Sequence, residues 1–164
     1  MRILSSLAFV VAALVTCVAP ARAADTAHDA DVAGIRQVVQ QFQAAIIAHD
    51  GKTLGSLFLQ DHDSWLAVDD TATWNEIKAK FPTARKVRRS TWQKFVEFVQ
   101  TSPQPIEERF YDVRIDTNGA VGSVYFNFDF LSGGKINNRG AESWQMVYTE
   151  DGWKISSMLF SIGS

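Results

Sequence analysis

Three glycine-bearing turns divide the C-terminal part of the chain into four runs, and that division limits what the rest can be. Asn118-Gly119, Ser132-Gly133-Gly134 and Asp151-Gly152 separate stretches rich in Val, Ile, Phe, Tyr or Trp between Pro105 and Ile162. Such dipeptides between β-forming runs are the strongest short-range hairpin signal. Four strands joined in this way need cover on one face, so the earlier segments are expected to supply helices.

Strand alternation assigns the faces. Val124, Phe126, Phe128 and Phe130 point one way, opposite Ser123, Tyr125, Asn127 and Asp129. The Phe face must be buried. In the next strand Glu142, Trp144, Met146 and Tyr148 share a face, which puts a carboxylate at the rim of an apolar concavity. Strict alternation in the last strand places Trp153, Ile155, Ser157 and Leu159 on one face and Met158, Phe160 and Ile162 on the other. Both faces are then partly apolar. The reading that follows is a homodimer packed through the outer sheet face. The alternative is that the chain's own loops cover these side chains or leave them exposed.

Upstream the period changes. Val32, Ile35, Val39, Phe42, Ile46 and His49 form one stripe of an amphipathic helix, with Asp29 or Asp31 as its cap. Asp50-Gly51 ends it, and Asp50 can cap a second helix carrying Leu54, Leu57 and Phe58. Ser64 to Asp69 reads as a first strand. Thr73 to Glu76 has the capping-box pattern of a short helix ended by Pro82. Arg85 to Arg89 reads as a basic linker, able to hold an anion but more simply a solvated loop. Ser90, with Gln93 as capping-box partner, opens a helix with Trp92, Phe95, Val96 and Val99 on one face.

Residues 1–23 read as an export signal: Arg2, an apolar run from Ile3 to Val18, and the small-x-small motif Ala21-Arg22-Ala23. The run is short for a membrane span. The remaining residues 24–164 are expected to form a single domain, periplasmic or secreted in a bacterium, with no membrane association after cleavage. Cys17 is the only cysteine, so cleavage would leave neither thiol nor disulfide; a lipid on Cys17 is the less favoured alternative, because Thr16 precedes it. Without Arg2 and Arg22 the 16 basic residues become 14, against 18 acidic, a net charge of −4. Nucleic acid is therefore not an expected partner.

"QQFQAAIIAHDGKTLGSLF" from Gln40 to Phe58 resembles the helix-helix signature of the nuclear transport factor 2-like superfamily, and "DGWKISSMLFS" from Asp151 to Ser161 resembles its closing strand. The superfamily includes ketosteroid isomerase, scytalone dehydratase and SnoaL-like cyclases. The resemblance implies an α+β cone: a curved antiparallel sheet wrapped around a long N-terminal helix, with an apolar pocket at the wide end and frequent dimerisation through the sheet. It also implies where ketosteroid-isomerase chemistry would sit. The oxyanion tyrosine corresponds to Phe42, the general base falls near Leu66, and the protonated acid falls at Trp144 or Gln145. None of these residues has the required group.

Other candidates come from the residues themselves. Glu142 is the first choice for a functional carboxyl, as general acid or base, with a salt bridge to Arg139 or Arg109 as the structural alternative. Asp129 with Asn127 and Tyr125 is second. His28 reads as solvated, His49 as a helix-end residue and Asp61-His62-Asp63 as a surface turn. No phosphate loop, nucleophile context or metal spacing is present, so no cofactor or metal is expected. The leading expectation is a small-molecule-binding domain for an apolar or amphipathic ligand, its pocket lined or rimmed by Phe42, Trp65, Glu142, Trp144 and Leu159. The rivals are an isomerase, dehydratase or cyclase using Glu142, and a dimeric association module with a filled pocket.

Overall fold

The computed structural model describes residues 21–62 and 64–163, with side chains from residue 27 onward. The export segment expected over residues 1–23 lies outside the described residues, apart from backbone at 21–23. Cys17 and Asp63 lie outside them too.

The chain runs α1 (Ala21–Ile47), α2 (Gly51–Ser56), β1 (Trp65–Asp69), α3 (Thr71–Lys80), β2 (Val87–Ser90), α4 (Trp92–Thr101), β3 (Ile106–Thr117), β4 (Val121–Ser132), β5 (Lys135–Thr149) and β6 (Gly152–Ile162). This is an α+β fold with one curved sheet of six strands, ordered β2-β1-β6-β5-β4-β3. The three expected turns join β3 to β6 as hairpins. Gly119 and Gly152 sit at φ 89° and 90°, a conformation that a side chain would strain. The sheet is mixed rather than wholly antiparallel, because β1 runs parallel to β6. The last three residues of the expected basic linker, Val87 to Arg89, fall with Ser90 in the edge strand β2, antiparallel to β1. Its charges suit an edge, where they discourage addition of a further strand.

α1 lies across the sheet, mainly on β3. Ile35, Val39, Phe42 and Ile46 of its stripe are buried, and Val38 and Ala45 widen the buried face. Phe42, Phe126 and Trp144 are at most 1% exposed. Full burial of each contributes about 2–3 kcal/mol. Their rings also meet in favourable geometries: Phe42 to Trp144 at 4.8 Å between centroids, and Phe126 edge-on to Trp144 at 5.0 Å.

Three expected caps are corrected. α1 already runs through Asp29 and Asp31, so neither caps it. Asp70, not Thr73, caps α3: its carboxylate accepts from the Thr73 amide at 2.7 Å. Thr91, one residue beyond Ser90, caps α4. In both helices the neighbouring residue has the extended backbone that a cap needs. Asp50 does cap α2, accepting from Thr53 N at 2.9 Å.

Three register shifts interrupt the sheet, and two of them, in β3 and β6, reset its faces. In β3 the register shifts between Tyr111 and Arg114, around Asp112 at φ 55°. Ile106, Glu108 and Phe110 face inward before it, and Val113 and Ile115 after it. In β6, Met146 pairs with Ile155 and Gln145 with Ser157, leaving Ser156 as an extra residue. Trp153 and Ile155 are therefore inside before the bulge and Met158 after it, with Phe160 packed against the same core. Leu159 faces outward and is 46% exposed. The two-faced apolar pattern of the last strand is thus one continuous inner face interrupted by a bulge. Strict alternation no longer supplies an argument for a second layer.

Candidate functional site

The inner face leaves a recess of about 470 Å³ between the sheet and α4. β1 contributes Trp65 and Ala67, β6 Met158, Phe160 and Ile162, β4 Phe128 and Phe130, and α4 Phe95 and Phe98; Phe42 comes from α1. These walls follow from strand alternation on one side and a helical stripe on the other.

Two carboxyls line this apolar space. Glu108 of β3 and Glu142 of β5 are each 4% exposed. Glu142 Oε2 accepts a hydrogen bond from the Trp144 indole Nε1 at 2.6 Å. Among the described residues no cation forms an ion pair with it. Arg139 lies 3.6 Å from Asp129, and Arg109 pairs with Glu107 at 2.8 Å. The salt bridge weighed as the structural role of Glu142 is therefore replaced by a neutral donor. Burial pushes the Glu142 carboxyl up to about 8, opposed by the Trp144 hydrogen bond, which favours the ionised form. Glu108 is raised well above the ordinary carboxylate range, first by burial and then by the nearby Glu142 charge. Among the described residues its carboxyl makes no hydrogen bond to protein, although Gln43 holds its backbone carbonyl at 3.0 Å. A buried carboxyl without a partner persists at neutral pH by keeping its proton. The recess thus holds two proton-bearing groups able to donate to an enclosed oxygen.

The mouth has the opposite character. Arg88, Arg89, Ser90 and Lys94 line it, with Asn137 and Asn138 of β5. Arg88 Nη2 meets Asp69 Oδ1 at 2.5 Å, while Asp69 itself is 1% exposed and its Oδ2 has no partner among the described residues.

Phe42, Trp65 and Glu142 meet in this recess. Trp144 stands behind its wall, fully buried, and acts on the space through Glu142. Leu159 is corrected: the β6 bulge turns it to the outer face, and Met158 and Phe160 take the inner positions. Leu66, near which the resemblance implied an isomerase base, alternates with the inward Trp65 and Ala67 and so points outward. Asp129 belongs to the outer face, accepting from Tyr111 Oη at 3.2 Å. His28 and His62 are exposed, and His49 follows α1 in left-handed backbone at φ 55°. Among the described residues no three His, Cys, Asp or Glu side chains cluster as metal ligands, and no helix is long and apolar enough to cross a membrane.

Glu108 was legible in principle. The alternation Ile106, Glu108, Phe110 puts it on the buried face, but Glu107 and Arg109 beside it make the segment read as a solvated charge cluster. Arg88 and Lys94 were not legible as neighbours, since only the folding of β2 against β1 brings their elements to one opening.

No protein-family model matches the chain, and no curated protein matches it. Solved structures do. An NTF2-like protein of unknown function from Shewanella baltica aligns at TM-score 0.60 with 16% identity, covering 84% of this chain and 97% of its own. A candidate dehydratase of the NTF2-like family from Streptomyces avermitilis aligns at 0.60 with 20% identity, covering 83% and 98%. An NTF2-like protein with a cystatin-like fold from Novosphingobium aromaticivorans aligns at 0.62 with 12% identity, covering 91% and 94%. The chain therefore has the NTF2-like, cystatin-like fold. At these identities the likeness concerns architecture, and function must be argued from the site.

Proposed function

We propose that the chain is an exported binding protein for a small molecule with an apolar body. The observation that carries this reading is the pair of buried carboxyls, Glu108 and Glu142, in a recess whose apolar lining is mostly aromatic. An apolar pocket with a few convergent polar groups is the usual form of a ligand site. A recess serving only as core would have no use for an unpartnered Glu108, since leucine there would avoid desolvating a carboxyl. The export part of the proposal rests on Arg2, the apolar run and Ala21-Arg22-Ala23. The test is a panel of neutral and charged aromatic and alicyclic compounds, read by tryptophan fluorescence and thermal melting. A ligand at one hundred times its Kd stabilises by about 2.7 kcal/mol. A panel that moves neither signal would count against the proposal.

The carboxyl pair also favours a second reading, acid–base catalysis of the isomerase, dehydratase or cyclase type. A carboxyl kept neutral near pH 7 can protonate a carbonyl or leaving hydroxyl oxygen. Glu142→Gln would then abolish turnover of a bound substrate while leaving its affinity within a few-fold. Full turnover in that variant would remove the role.

A homodimer through the outer sheet face is also proposed. Across that face Arg114, Tyr125, Ser143, Leu159 and Leu66 lie in one row of paired residues. Sedimentation equilibrium tests it, with Leu159→Glu expected to shift a dimer to monomer.

A further inference from the structure

The recess is lined by carboxyls within and by cations at its opening, on a chain with a net charge of only −2. Those cations come from two elements, Arg88 and Arg89 from β2 and Lys94 from α4. Edge-strand protection accounts for the outward charge of Arg89, which pairs with the outward Leu66. It does not by itself account for the tether that fixes Arg88, which pairs in register with the pocket residue Ala67 and so lies on the inner face. Arg88 is tethered there by the buried Asp69 while 51% of its side chain stays exposed. A guanidinium has five N–H donors, so this single contact leaves most of them free. Edge protection also does not account for Lys94, which sits on a helix and makes no ion pair among the described residues.

We infer that the ligand is an amphipathic organic anion, its apolar body among Phe95, Phe128 and Phe160 and its acidic group at the mouth between Arg88 and Lys94. This rests on the binding function proposed above. Low-dielectric walls focus the field of such cations on the opening and raise the local concentration of anions. The inner carboxyls oppose it little, since burial raises the pKa of both and so favours their neutral forms. Their protons are free to meet an acceptor oxygen at the inner end of the ligand.

A matched pair of fluorescent probes tests the inference: N-phenyl-1-naphthylamine, which is neutral, and 8-anilino-1-naphthalenesulfonate, the same skeleton with an anionic group. The variants are Lys94→Gln, at an exposed position that leaves the core intact, and Ile162→Trp, which fills the recess. The expected result is that Lys94→Gln weakens the sulfonate roughly fivefold and the neutral probe by less than about twofold. Added salt should weaken the sulfonate alone, and Ile162→Trp should weaken both probes. If Lys94→Gln and salt leave the sulfonate unchanged, or affect both probes equally, the anionic ligand is excluded. Binding of the neutral probe that is lost in Ile162→Trp would still uphold a small-molecule pocket in that case. If neither probe responds to Ile162→Trp, the pocket reading fails as well.

Discussion

The Trp144 indole donates to Glu142 Oε2 at 2.6 Å, and both residues sit on the same inner face of β5, one pleat apart. The contact orients one of the two carboxyls of the recess and counters part of the desolvation that raises its pKa. Trp144→Phe keeps most of the ring packing and deletes the donor. The Glu142 carboxyl should then titrate above about 8, because the hydrogen bond that favours its ionised form is gone. Carbonyl-detected NMR titration of Glu142 checks the direction. A fall in the titration midpoint would show that the indole does not stabilise the charge. Loss of the bond should also lower stability by about 1–3 kcal/mol.

Stability should fall as pH rises from about 4.5 to about 8. Over that interval the unfolded chain releases the Glu142 proton while the folded chain retains it, so folding binds a proton and is opposed by alkali. Glu108 acts in the same direction, since its pKa is also raised. The slope is at most about 1.4 kcal/mol per pH unit for each such carboxyl. Urea melts of the wild type and of Glu142→Gln at pH 5 and pH 8 give the comparison. Glu142→Gln should flatten the dependence, and an equal slope in both proteins would show that Glu142 ionises normally.

Two arginine pairs of similar length should differ in strength. Arg88 is held by Asp69, whose side chain is 1% exposed, whereas the Arg109–Glu107 pair is 50% and 38% exposed. Arg88→Gln strands a buried carboxylate and should cost about 1–3 kcal/mol, less than a wholly buried pair because Arg88 itself is half-exposed. Arg109→Gln should cost less than about 0.5 kcal/mol. Denaturant midpoints of the two variants settle the ranking.

Deleting Ser156 should leave the protein folded. With the extra residue gone, plain alternation from Ile155 carries Met158 and Phe160 to the inner face and Leu159 to the outer one, as in the native strand. Met146 and Gln145 can then keep Ile155 and Ser157 as partners in an uninterrupted ladder. Near-ultraviolet circular dichroism checks the packing, with a native-like spectrum expected from the deletion. Loss of that spectrum would mean that the bend made by the bulge, and not the order of faces alone, is needed to close the sheet.

The sequence by itself determined the elements whose cause is local. The glycine turns, the stripe of α1, the Asp50 cap and the Phe face of β4 each depend on neighbours within a few residues, and each lies where those neighbours put it. Only the tertiary structure decided the rest. β2 exists because β1 offers it a partner, against a run of charges that has no strand character alone. The bulge at Ser156 is set by pairing with β5, so Leu159 could not be placed outside from β6 alone. Glu108 joins Glu142 through strands 34 positions apart in the chain, and its neutrality follows from burial, which no local pattern reports. Periodicity is written into the chain at short range, whereas register, burial and the field at a pocket arise only when distant segments meet.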